Sequence, residues 1–142
     1  MVALPPRRIL VVEDEPPIRN INTKMLINAG YHVDSAEDGV AAWTALQARP
    51  YDLLITDNNM PRMSGVELLQ KIHANGVRLP VIMATGTAPA QRLCDPWSQP
   101  VPVLLKPYTA VELLETVKEV LRKANPVDGG PALDASSLTK VS

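Results

Sequence analysis

Residues 9–12 form a short apolar run rich in branched side chains, with basic residues before it and acidic residues after it. That pattern predicts a strand buried on both faces. Pro16 and Pro17 follow, and proline suits the first turn of a helix. Ile18, Ile21, Met25 and Leu26 then recur at helical spacing up to residue 29, and Gly30 supplies a stop. Residues 31–36 alternate and predict a second strand. Asp38 and Gly39 open a helix to about residue 48, with Val40, Trp43 and Leu46 as its apolar stripe and Pro50 beyond its end. Residues 53–56 predict a third, wholly apolar strand. Ser64 and Glu67 make a capping-box pattern. The helix they start buries Val66, Leu68, Leu69 and Ile72 and ends at Asn75-Gly76. Residues 80–84 and 103–105 predict two more strands. Thr109 and Glu112 repeat the capping-box pattern for a last helix through about Lys123, with Val111, Leu114, Val117 and Leu121 facing inward.

Strand and helix alternate about five times, which predicts an α/β domain with a five-stranded parallel sheet and helices on both faces. The domain spans residues 8–124. Two segments depart from the rhythm. Between the fourth and fifth strands lie Pro89, Pro96, Pro100 and Pro102. A full-length fourth helix there would carry Pro96 in its interior at a cost of about 3 kcal/mol. The expectation is a short or irregular helix, at most over residues 89–94. Residues 125–142 are small and polar, with two prolines and two glycines among residues 126–131, and read as a disordered tail or linker stub.

Composition narrows the function classes. The chain has 142 residues, 46% hydrophobic and 20% charged, which is the range of one globular domain. A formal charge of -1 offers no field to gather nucleic acid or an anionic membrane, so neither is expected as a direct partner. One cysteine excludes an internal disulfide, and no apolar run is long enough to span a bilayer. The N-terminus lacks the apolar stretch of a secretory signal, so the chain reads as soluble and cytoplasmic.

In an open parallel sheet, ligands bind beyond the carboxyl ends of the strands. Glu13, Asp14 and Glu15 follow the first strand, Asp57 the third, Thr85 the fourth and Lys106 the fifth. Alone, each has a plain structural use: Asp14 and Glu15 as helix starters, Asp57-Asn58 as a turn, Lys106 as a solvated lysine. If their strands are neighbours, they share one pocket. Clustered carboxylates need a hard cation, and Mg²⁺ with its oxygen ligands fits. Asp57 could then accept a phosphoryl group, with Lys106 and the Thr85 hydroxyl on the phosphoryl oxygens. Lys106 reads as a site lysine because Leu104 and Leu105 bury the strand before it.

Four stretches, ILVVEDE at 9–15, DLLITDNNMPRMSG at 52–65, LPVIMATG at 79–86 and LLKPY at 104–108, occur in order at strand ends. Together they resemble the receiver domain of two-component response regulators. The resemblance implies a flavodoxin-like sheet of order 2-1-3-4-5. It implies that Asp57 is the phospho-acceptor, Asp14 a direct Mg²⁺ ligand, Glu13 its water-mediated neighbour and the Asn59 backbone carbonyl a third ligand. Thr85 matches the switch hydroxyl, Gly86 the small residue after it, Lys106 the phosphate-pairing lysine, and Lys106-Pro107 a bond usually cis. A histidine kinase as phosphodonor and a downstream protein or output domain are the implied partners. Two features depart from the pattern. Val103 occupies the place of an aromatic residue that swings inward, and valine cannot make that rotation. The proline-rich fourth helix alters the usual output surface.

An enzyme reading, a phosphohydrolase acting through an aspartyl-phosphate, wants an acid two residues after the nucleophile, where Asn59 stands. The expectation is therefore a signalling receiver that catalyses only its own phosphorylation and dephosphorylation, not an enzyme. The alternative is an interaction module that keeps the fold without phosphorylation. His32 and His73 read as surface or half-buried residues rather than ligands, the methionines as packing and Cys94 as inert, whereas Trp97 is either packed onto the domain or presented to a partner.

Overall fold

The computed structural model describes residues 6–88, 93 and 100–124. Its strands are β1 (Arg8–Val12), β2 (His32–Ala36), β3 (Leu53–Thr56), β4 (Val81–Thr85) and β5 (Val103–Leu105). Its helices are α1 (Pro16–Asn28), α2 (Gly39–Ala48), α3 (Gly65–Ala74) and α4 (Ala110–Ala124). The strands pair in parallel in the order β2-β1-β3-β4-β5, as the resemblance implies. The expected irregular helix at 89–94, with Cys94, Trp97 and the segment 125–142, lies outside the described residues, save Leu93.

Alternate residues of the central strands feed two cores. Leu10, Val12, Leu54, Val81 and Met83 face α2 and α3 and pack on Ala42, Leu68, Leu69 and Ile72. Ile9, Val11, Leu53, Ile55, Ile82 and Ala84 face the other side and pack on Leu26, Leu113, Val117 and Leu121. Each fully buried leucine or isoleucine contributes about 1.5–3 kcal/mol. Burial on both faces is why residues 9–12, 53–55 and 81–84 are continuous apolar runs.

The capping boxes form as expected. Ser64 Oγ accepts from the Glu67 N–H at 3.1 Å while Glu67 Oε1 accepts from the Ser64 N–H at 2.8 Å. Thr109 and Glu112 make the same reciprocal pair. Three helix-stripe assignments and one strand assignment do not hold. Ile21, Val40 and Val111 are exposed, and Leu105 is 53% exposed. On α1 the buried place goes to Asn22, whose amide bonds to the half-buried Tyr108 hydroxyl. On α2 the small Ala42 lets the helix approach the sheet. On α4 Leu113 reaches the core instead. β5 is a sheet edge, so alternation there leaves Val103 and Leu105 outward, and burial of Leu105 is not what holds Lys106.

At the opposite end of the sheet from the strand carboxyl ends, Tyr51 Oη donates to Asp34 Oδ2 at 2.7 Å, beside Arg8 and Arg49. Burial, then the Asp34 carboxylate, pushes the tyrosine hydroxyl up to about 12. A raised value in the folded state means the contribution is complete below the ordinary value of 10.0 and disappears as pH rises through about 12. Tyr51→Phe is expected to cost about 1 kcal/mol at neutral pH, because the bond is charge-assisted but half solvated. Urea denaturation of both proteins against pH checks this, and the gap should close above pH 12.

Candidate functional site

Three site residues stand one position beyond a strand, and the sheet's own ladder pins their backbones. The Glu13 N–H donates to Ala36 O at 3.1 Å, the Asp57 N–H to Val12 O at 3.0 Å, and the Lys106 N–H to Thr85 O at 2.9 Å. Parallel pairing aligns these ends at one edge, because Val12 pairs with Thr56 and Thr85 with Leu105. The side chains therefore converge without any long loop to order.

Lys106 Nζ donates to Glu13 Oε1 at 2.7 Å and to Asp57 Oδ2 at 3.1 Å. The Glu13 and Asp57 side chains are only 3% and 7% exposed, whereas Lys106 keeps 20%. Carboxylate oxygens of Glu13, Asp14 and Asp57 all lie within 4.8 Å of one another. Asp14 is half-buried at the mouth of this cluster. The other Asp57 oxygen, Oδ1, accepts from the Asn59 N–H at 3.2 Å. Arg19 Nη1 donates to the Glu13 carbonyl at 2.8 Å and ties α1 to the same turn.

Burial raises the Glu13 carboxyl above its ordinary range, and the Asp57 carboxylate adds to that, against the pull of Lys106. Burial opposes the Lys106 charge, but the bonds to Glu13 and Asp57 outweigh it, and the lysine is raised. The ammonium between two carboxylates stays charged. Three carboxyl groups thus face one ammonium, and a further cation is electrostatically favoured there. All the donors are hard oxygens, the set that suits Mg²⁺ rather than a thiophilic metal.

The loop from β3 to α3 folds against its own start. Asn58 O accepts from the Gly65 N–H at 3.0 Å, and Asn58 Oδ1 from the Val66 N–H at 2.9 Å. Thr85 is fully buried, and its Oγ1 accepts from the Thr87 N–H at 3.5 Å at the end of β4. The Lys106–Pro107 peptide is cis. Sequence reading missed two supporting pairs. Asn22 Nδ2 donates to Tyr108 Oη at 2.8 Å, joining α1 to the turn after Lys106. Arg62 bonds to the buried Asp38. The sequence marks Asp38 as a helix opener but carries nothing that links it to position 62.

A family model for the response regulator receiver domain matches residues 9–118. The receiver protein CpdR of Brucella abortus is 34% identical over 116 residues, covering 81% of this chain and 97% of that protein. Response regulator MprA of Mycobacterium sp. (strain KMS) is 32% identical over 137 residues, covering 94% of this chain but only 60% of MprA's length. Among solved structures, the response regulator TrrA of Thermotoga maritima, determined in complex with Mg²⁺-BeF, is 33% identical with a TM-score of 0.71. It covers 80% of this chain and 98% of its own. The chemotaxis protein CheY4 of Vibrio cholerae is 28% identical with a TM-score of 0.70, covering 81% and 98%. The chain belongs to the response regulator receiver domain family. Such domains are signalling modules of two-component systems. Among the described residues, no helix is long and apolar enough to cross a membrane.

Proposed function

We propose that the chain is a phospho-accepting receiver in which a carboxylate oxygen of Asp57 takes the phosphoryl group of a histidine kinase. The observation that carries this reading is the convergence of Lys106 on two buried carboxylates, with a third within 4.8 Å. In the transfer, the new bond joins an Asp57 oxygen to phosphorus. The phosphorus–nitrogen bond of the phosphohistidine breaks, and the imidazole keeps the electron pair. Lys106 then moves its charge from Asp57 to the phosphoryl oxygens, and the flexible lysine stem allows that without backbone motion. The buried Thr85 hydroxyl, at the neighbouring strand end, donates to another phosphoryl oxygen. Glu13, Asp14, Asp57 and the Asn59 carbonyl would hold Mg²⁺. Bound there, the ion supplies the charge neutralisation that phosphoryl transfer requires. The TrrA complex with Mg²⁺-BeF supports the assignment by kinship.

The reading places the chain's activity in switching a protein-interaction surface in the cytoplasm, by shifting a pre-existing equilibrium. The test is the intact mass of the protein after incubation with Mg²⁺ and a small phosphodonor. The expected result is a gain of one phosphoryl group that disappears in Asp57→Asn and without metal. No gain with any donor would overturn the reading and favour a phosphorylation-independent interaction module.

A further inference from the structure

The loop that carries Asn59 is gripped from outside the carboxylate cluster. Asp38 caps α2, its Oδ1 accepting from the Ala41 N–H at 2.8 Å, and its side chain is only 1% exposed. Its second oxygen, Oδ2, takes Nη2 of Arg62 from the middle of the β3–α3 loop. Arg62 Nη2 also lies 3.7 Å from Glu37 Oε2. Arg62 sits at φ 68°, in the left-handed region that a residue with a side chain seldom adopts without a compensating contact. A second contact lies beside the first. Gly39 is so close to the loop that a Cβ there would lie 2.7 Å from both Cβ and the carbonyl oxygen of Met63. The β2–α2 corner and the loop are therefore in backbone-level contact, with an ion pair at the seam whose carboxylate is buried and whose guanidinium is exposed.

We propose that Arg62 and Asp38 are positioning residues that lock the β3–α3 loop, so that the Asn59 carbonyl is presented to the divalent cation; breaking the pair weakens cation binding although no ligand is removed. This rests on the reading of the carboxylate cluster given above. Asn59 is three residues before Arg62, with Met60 and Pro61 between them. A displacement at position 62 is therefore transmitted over a very short chain. The two feet of the loop are tied to each other independently of the clamp, by the bonds of Gly65 and Val66 to Asn58. The Asn59 N–H already donates to Asp57 Oδ1, so the clamp adds a second constraint: it fixes the residues that follow Asn59 and with them the direction of its carbonyl. The Ala41 N–H, and after it Arg62, hold the Asp38 carboxyl below its usual range against the cost of burial, in keeping with an ionised partner for the guanidinium.

The test uses Mn²⁺ as the probe, with the free ion counted by electron paramagnetic resonance, on the full chain. Arg62→Ala and Asp38→Asn are each expected to weaken Mn²⁺ binding roughly threefold to fivefold, the size expected of an ion pair with one exposed member. The double variant is expected to be no weaker than either single one, because both remove the same interaction. Asparagine keeps the helix cap, so Asp38→Asn separates the pair from the cap. Arg62→Gly adopts the left-handed backbone without strain. A matching loss in Arg62→Gly assigns the effect to the guanidinium rather than to the backbone. Glu119→Gln, which breaks an ion pair on α4, is the control and should leave affinity unchanged. Thermal unfolding of each variant shows that it is folded. Unchanged Mn²⁺ affinity in folded Arg62→Ala would overturn the clamp while leaving the site assignment intact. A wild-type chain that binds no Mn²⁺ would overturn the site assignment and the clamp with it.

Discussion

Alanine at position 65 is expected to destabilise the protein by about 3 kcal/mol, the upper range for overpacking, and to abolish phosphoryl uptake at Asp57. Gly65 is the first residue of α3, and a Cβ there would overlap the carbonyl oxygen of Asp57 itself. The same atom would lie 3.0 Å from Asn58 Cα and 3.0 Å from Met83 Sδ. Two of these three neighbours are backbone, so no side-chain rotation relieves the clash. Relief requires α3 to move away from the end of β3, which strains the Gly65–Asn58 and Val66–Asn58 bonds that close the loop. The glycine is required by close approach, not by its own dihedral angle, since only Gly30 and Gly76 among the described glycines have positive φ. Gly86→Ala is the contrast. A Cβ there meets nothing within 4 Å, and the change should be neutral despite its place beside Thr85. Urea midpoints of the two variants check the first half, and intact-mass phosphorylation the second. Equal stability of Gly65→Ala and Gly86→Ala would sink the argument.

Lys106→Met should cost about 3 kcal/mol at neutral pH without divalent cations, because it leaves two buried carboxylates without their shared ammonium. Methionine keeps most of the stem packing, so the loss reports charge. The effect has a direction in pH. Lys106 is raised in the folded state, so its contribution is complete below 10.5 and is lost only as pH rises through the higher folded value. Glu13 is also raised, so its carboxyl is relatively better tolerated protonated, and its burial costs stability as pH rises through its folded value. Removing the lysine raises Glu13 further. The deficit of Lys106→Met should therefore shrink as pH falls from neutral toward 4.5, where a protonated Glu13 needs no partner. Mg²⁺ should raise the melting temperature of Lys106→Met more than that of the wild type, since the cation takes over the missing charge. Thermal unfolding with and without Mg²⁺ at two pH values measures all three effects. A deficit indifferent to both pH and Mg²⁺ would mean that Lys106 serves packing alone.

The elements themselves were legible because local chemistry and tertiary burial agree. The runs at 9–12 and 53–55 are apolar throughout, which only a two-sided core requires, and both lie in buried strands. Ser64 with Glu67, and Thr109 with Glu112, mark helix starts that form the reciprocal caps they predict. The stripes failed where an apolar residue at helical spacing faces water. Ile21 lies outward while Asn22 is buried, because an amide with a tyrosine hydroxyl at 2.8 Å tolerates burial. Sequence reading ranks hydrophobicity but cannot see that partner, 86 residues away.

The site divides the same way. Chain order alone placed Glu13, Asp14, Asp57, Thr85 and Lys106 at the carboxyl ends of strands, since acidic, hydroxyl and ammonium groups terminate apolar runs. The sequence by itself thus determined the α/β alternation, the helix starts and the identity of the polar groups at the strand ends. Tertiary structure decided what depends on distance between remote segments. It set the strand order that brings Lys106 onto Glu13 and Asp57, the approach of Gly65 to the Asp57 backbone, and the pairing of Arg62 with Asp38. Local pattern follows from each residue's own period and propensity. Contacts between residues tens of positions apart follow only from how the strands are ordered and the helices are seated.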